Sequence, residues 1–145
     1  MFVYSLHIFY ILLFMLTLMK AQKILYWIST VLLALFILPG LFFMNSEMAQ
    51  EWMKHVGLAS APWLVQLVWF GAPLAILFIL IPGVWRRLKE WSYLALGIIY
   101  VWAFWAHINI DWFIPMSFTP VVTFGVLLVS YLSWHKILKH NGQHI

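Results

Sequence analysis

The sequence predicts an all-α fold, a polytopic transmembrane four-helix bundle, and three observations carry that expectation. Of 145 residues, 66 % are hydrophobic and only 8 % are charged, with a mean hydropathy of +0.97, far from the mix of a soluble domain. The apolar residues fall into runs of roughly 20, the number a helix needs to cross a hydrocarbon core of about 30 Å. Charges and turn residues bound these runs instead of interrupting them. Such a chain has no room for a catalytic domain outside the lipid.

Two readings stay open for residues 1–18, an apolar extension without the positively charged start of a secretory signal. It is an extra crossing that turns tightly at Lys20 to Lys23, or it lies upstream of a natural start at Met19-Lys20. The second is preferred, because Met-Lys before a hydrophobic span is a common beginning for such proteins. The main unit is then 19–145, with spans expected over 24–44, 63–83, 91–110 and 118–134. Between the first two, 45–57 has a helix cap in Asn45 or Ser46, Glu47 in the first turn and Gly57 as a stop. Met48, Ala49, Trp52, Met53 and Val56 share one face of it and Glu47, Gln50, Glu51 and Lys54 the other. A short interfacial helix on the membrane surface, or one capping the bundle, is expected there. Thr119-Pro120 starts the last span.

Orientation follows from the cations, which are retained on the cytoplasmic side. Lys20, Lys23, Arg86, Arg87, Lys89, Lys136 and Lys139 alternate onto one face of the four-span map, and only Lys54 falls on the other. Both ends of the four-span unit are therefore expected in the cytoplasm, with the protein in the cell inner membrane. Trp27, Trp63, Trp85, Trp91, Trp112 and Trp134 sit near span ends and read as interfacial belts.

The absence of cysteine excludes disulfides, thiolate nucleophiles and thiolate metal sites. The net charge of +4 comes from few cations flanking hydrophobic segments, so no nucleic-acid partner is expected. Chemistry concentrates in the third span, where Gly97, Tyr100, Phe104, His107 and Asp111 recur at helical spacing. A His–Asp pair near the bilayer could relay protons, orient a quinone carbonyl or supply one metal ligand. The plainer reading is an interfacial Asp111 and a His107 with one structural hydrogen bond. Gln66 and Pro73 of the second span combine an amide with a backbone break, which leaves polar groups for a ligand or is satisfied by neighbouring helices. Ser29, Leu33, Phe36 and Gly40, and Thr123, Val126, Ser130 and Ser133, read as helix-packing stripes. Haem is not expected, because His107 lies near the outer end of the third span and His135 near the inner end of the fourth, and no metal site is expected.

The runs Lys23-Ile-Leu-Tyr-Trp-Ile-Ser-Thr30, Pro39-Gly40, Asn45-Ser-Glu-Met48, His55-Val-Gly57 and Pro62 resemble the first half of the DoxX-like membrane proteins. Gly71-Ala72, Ile81-Pro-Gly-Val-Trp-Arg-Arg-Leu-Lys-Glu-Trp-Ser-Tyr93 and Ala106-His107 with Asp111 resemble the second, so the resemblance covers about 19–137. It implies a four-span bundle with both termini inside and says little about activity. More distant relatives include a subunit of an archaeal thiosulfate:quinone oxidoreductase. Members often carry a basic residue just before the span-two glycine, where this chain reads Leu67-Val-Trp-Phe-Gly71, so an anion-handling site on that helix is not implied here.

Three functions follow as expectations. The first is a small scaffold or accessory subunit of a membrane complex, in contact with the lipid bilayer and with other membrane proteins or itself, without catalysis of its own. The second is a subunit of a quinone-linked oxidoreductase, with His107 and Asp111 near the headgroup. The third is a small-solute or proton transporter, least favoured because no span carries a deep charge or paired broken helices.

Overall fold

The computed structural model describes residues 2–55, 57, 62–111 and 118–142, and within them the side chains of all but 2–16, 18, 52, 62, 64 and 111. The described chain is helical, with no strand in it. The order is α1 (Phe2–Ile37), α2 (Gly40–Phe43), α3 (Glu47–His55), α4 (Pro62–Gln66), a π-helical segment (Leu67–Gly71), α5 (Ala72–Leu80), α6 (Arg86–Asp111) and α7 (Thr119–His140). Among the described residues, three stretches are long and apolar enough to cross a membrane: Met19–Phe43, Arg86–Ile110 and Thr119–His140.

α1 does not show the tight turn at Lys20 to Lys23 that the less favoured of the two readings of residues 1–18 requires. Its 36 residues form one helix, about 54 Å long at 1.5 Å per residue. Two lysines three apart are good helix formers and break no backbone hydrogen bond, so nothing there forces a reversal. α1 stops where Pro39 withholds the N–H that would return to Leu35. One further turn, α2, follows.

The second expected span is a helix with an irregular middle. Pro73 cannot donate to the Trp69 carbonyl, and the ladder just before it widens to π register over Leu67–Gly71. The uninterrupted apolar piece is therefore shorter than a crossing. The helix ends at Ile81, which is extended, and Gly83 at φ +85° turns the chain into α6.

α1 packs most extensively on α7, α5 sits between α1 and α6, and α6 closes the ring against α7. Hydrogen bonds fix the levels. Tyr26 of α1 and Lys89 of α6 both donate to the Ile79 carbonyl of α5, and Thr30 of α1 meets Ser130 of α7. With antiparallel neighbours, these contacts gather Lys20, Lys23, Arg86, Arg87, Lys89, Lys136 and Lys139 at one end of the bundle.

Large apolar side chains cover the outside, and several polar ones are buried among the apolar core. Leu35, Phe36, Ile98, Val101, Trp105, Val122 and Leu132 are exposed, while Thr30, Ser92, His107, Thr123, Ser130 and Ser133 are buried. Exposed apolar patches of this extent belong against lipid or protein. α3 covers the end of the bundle away from the cation-rich end: its Met53 is buried against Val65, Trp69 and Trp102. Trp69 also lies over Gly40, where a Cβ would come within 3.2 Å of its ring. Trp134 departs from the expected belt: it is 7 % exposed and stacks on Tyr93 at 5.7 Å, because α7 turns that face towards α6.

Candidate functional site

The interior is layered along the bundle axis. Nearest the cation-rich end is a polar layer built by α1, α5, α6 and α7. Tyr26 donates its hydroxyl to the Ile79 carbonyl at 2.6 Å. Lys89 donates to that carbonyl at 3.0 Å and to the Tyr26 hydroxyl at 3.4 Å, with its ammonium 5.9 Å from the Tyr26 ring centre. One turn deeper, Ser130 joins Thr30 at 2.7 Å and Tyr93 at 2.8 Å, and Thr30 also donates to the Tyr26 carbonyl. Hydroxyls that bond across helices in this way satisfy groups that lipid would leave unpaired.

Lys89 is 6 % exposed, although its place in the sequence marks it as a loop cation. Its ammonium donates to two oxygens, the Ile79 carbonyl and the Tyr26 hydroxyl, and no described carboxylate pairs with it. Spacing held the signal: Lys89, Tyr93 and Leu96 fall on one helical face, and all three are buried. The neighbouring Glu90 pairs with Arg86 at 3.0 Å, and Arg87 lies over the Trp85 ring at 5.8 Å.

One turn beyond the polar layer, Leu33, Ile76 and Leu96 are completely buried and Leu127 nearly so. This apolar layer separates the polar layer from a pocket at the α3 end. The pocket measures about 290 Å³ and is lined by Phe36 and Ile37 of α1, Tyr100, Ala103 and His107 of α6, and Thr119, Pro120 and Thr123 of α7. His107 is 5 % exposed, and Thr123 is turned back on the Thr119 and Pro120 carbonyls.

The residues singled out from sequence are partly united there. Tyr100 and His107 line the same pocket, as their seven-residue spacing requires. Gly97 instead lines a separate groove between α6 and α7. Gln66 is exposed at the end of α4 and lines neither cavity. Asp111 is the last residue of α6, and its side chain lies outside the described residues. Among the described residues no group of three or more His, Cys, Asp or Glu is placed to hold a metal ion.

The α6–α7 groove is the larger cavity, about 670 Å³. It runs along α6 from Glu90 to Trp105, with Gly97 between them and Phe124, Leu128 and Tyr131 of α7 as the opposite wall. Its walls are almost entirely apolar, and its charged group, Glu90, stands at the cation-rich end. No single-helix periodicity predicts such a groove, because two helices form it. No family model, curated protein or solved structure matches this chain.

Proposed function

We propose that the chain is a small accessory subunit of a membrane complex, contributing no catalysis of its own. In this reading it crosses the cell inner membrane four times with its cation-rich end in the cytoplasm, and it assembles with other membrane proteins or with itself. The fourth crossing is α4, the π segment and α5 taken together, which at roughly 1.5 Å per residue come to about 28 Å over 62–80. That length suits a hydrocarbon core of about 30 Å. Seven of the eight Lys and Arg side chains at one end supply the orientation through the positive-inside rule. The DoxX-like assignment rests on the residues quoted for it.

The observation that carries the accessory role is the division of polarity. The polar groups of the inner layer are engaged with one another, whereas the perimeter presents apolar side chains on every crossing. Such a molecule meets its surroundings through packing. The test is purification in mild detergent with mass spectrometry of everything that travels with the protein. A membrane protein recovered in fixed stoichiometry supports the role, and a monomer recovered without any protein companion overturns it.

A quinone-linked role is the second reading, favoured by the buried His107 beside Tyr100 in a pocket of about 290 Å³. An imidazole N–H and a phenol O–H are donors suited to a quinone carbonyl. Quinone binding by the purified protein should weaken in His107→Ala, and binding equal to wild type would remove this reading.

A further inference from the structure

We infer that the cation-rich end is a binding surface for anionic phospholipid headgroups, built as one level of positive charge shared by three helices. Thr30, Ser130 and Tyr93 meet in a single hydrogen-bonded node, and residue counts from that node give depths along the bundle. Lys23 lies seven residues before Thr30, Arg86 and Arg87 seven and six before Tyr93, and Lys136 six after Ser130. At 1.5 Å per residue, the four therefore stand at one level, about 9–11 Å beyond the node. The same counting holds inward: Leu33, Leu96 and Leu127, each three residues from the node, meet in the apolar core.

Charge and depth select the occupant. Among the described residues, Glu90 is the one acid at this end, and Arg86 holds its carboxylate. Glu47, Glu51 and Asp111 lie at the opposite end, with Lys54. The excess positive charge therefore draws its counter-charge from outside the described chain. Lys23, Arg87 and Lys136 are exposed, and they stand on α1, α6 and α7 respectively. An acidic protein docks from one side and calls for cations gathered on one face, whereas cations at one depth on three helices match a plane of phosphates. Ile110 lies about 35 Å along α6 from Arg87 at 1.5 Å per residue. A hydrocarbon core of about 30 Å reaches about 40–45 Å with its headgroup layers. With Ile110 at one interface, the cations thus stand among the headgroups of the other. Trp85 marks the same zone: it is 70 % exposed with the Arg87 guanidinium 5.8 Å from its ring centre, an amphipathic ring and a cation of the kind that settle at headgroup level.

The inference rests on the reading of the chain as a membrane-crossing bundle and is independent of which side the cations face. The test places the protein in nanodiscs of equal phosphatidylcholine and phosphatidylglycerol, and native mass spectrometry counts the lipids that stay bound. Wild type is compared with the triple variant Lys23→Gln, Arg87→Gln, Lys136→Gln, and with Lys54→Gln, which removes an exposed cation from the other end. Tryptophan-monitored melting checks that each is folded. A cation at an anionic membrane surface contributes a factor of about five in affinity. Wild type and Lys54→Gln should therefore retain phosphatidylglycerol in preference to phosphatidylcholine, and the triple variant should lose about tenfold or more of that preference. Raised salt should weaken the preference of wild type as well. Equal retention of the two lipids by wild type, an undiminished preference in the triple variant, or the same loss in Lys54→Gln overturns the inference. So does an acidic protein that accompanies wild type from native membranes in place of anionic lipid and is lost from the triple variant. Recovery of wild type from the soluble fraction would overturn the membrane reading itself.

Discussion

Removal of the Tyr26 hydroxyl should destabilise the bundle more than removal of the Lys89 ammonium, although the ammonium carries the charge. Tyr26 both donates to the Ile79 carbonyl and accepts from Lys89. In Tyr26→Phe, the buried ammonium keeps a single oxygen, the Ile79 carbonyl at 3.0 Å. The loss is one neutral hydrogen bond, about 0.5–1.5 kcal/mol, and one to a charged group, about 1.5–3 kcal/mol. The long 3.4 Å contact places the sum near the lower end, at about 2–3 kcal/mol. Lys89→Met keeps the aliphatic stem, removes a charge that no described carboxylate compensates, and leaves the Tyr26–Ile79 bond intact. Replacing a buried charge with an apolar side chain of similar volume is often neutral or stabilising, so Lys89→Met should stay within about 1 kcal/mol of wild type. In the Lys89→Met background, Tyr26→Phe should cost only the neutral bond, about 1 kcal/mol, and the two changes are therefore non-additive. Steric trapping in bicelles, read by tryptophan fluorescence, measures all three free energies. A Lys89→Met variant as destabilised as Tyr26→Phe, or strict additivity in the double variant, would refute this ranking.

Three further outcomes follow from the same structure. Ser130→Ala should cost about 1–2 kcal/mol in that assay, since it strips Tyr93 of its hydroxyl partner while Thr30 keeps its bond to the Tyr26 carbonyl; a neutral effect would mean that the inner polar layer does not hold the helices together. Gly40→Leu should cost about 1–3 kcal/mol and shift tryptophan emission, because its Cβ falls 3.2 Å from the Trp69 ring that seats Met53; an unchanged spectrum and stability would show that α3 does not depend on that contact. In liposomes, proton flux should equal that of empty vesicles, because Leu33, Ile76 and Leu96 close the interior between the two polar zones; flux above that baseline would reinstate transport.

Much of the fold was legible in the sequence because lipid imposes simple rules. Apolar run length and flanking charge located α6 and α7, and the 3.6-residue period of 45–57 located α3, whose Met53 faces the bundle as its apolar stripe requires. Of the two readings left open for residues 1–18, the turn at Lys20 to Lys23 is absent from the helix, since a charge pair marks an interface but does not break a helix. Pro73 was visible as a backbone break, but its resolution into a π segment depends on how the preceding turn relaxes. Lys89 and Trp134 were assigned to the interface by their distance from the span centres, a rule that overlooks their helical face; both are buried because that face meets neighbouring helices. For the site, seven-residue spacing correctly put Tyr100 and His107 together. Gly97, one turn before Tyr100 in the same stripe, fell instead beside Phe124, which α7 supplies from elsewhere in the chain.

The arrangement of crossings underlies both the orientation and the placing of each cavity, and single-cysteine labelling tests it most directly, since the chain has no native cysteine. Cysteines at Lys54, Arg87 and Lys139, all exposed positions, would be treated with a membrane-impermeant maleimide in intact cells and again after permeabilisation. A four-crossing bundle with its cation-rich end in the cytoplasm predicts labelling at 54 from outside and at 87 and 139 only after permeabilisation. Labelling of 54 and 87 from the same side would contradict it, because α4, the π segment and α5 would then not cross.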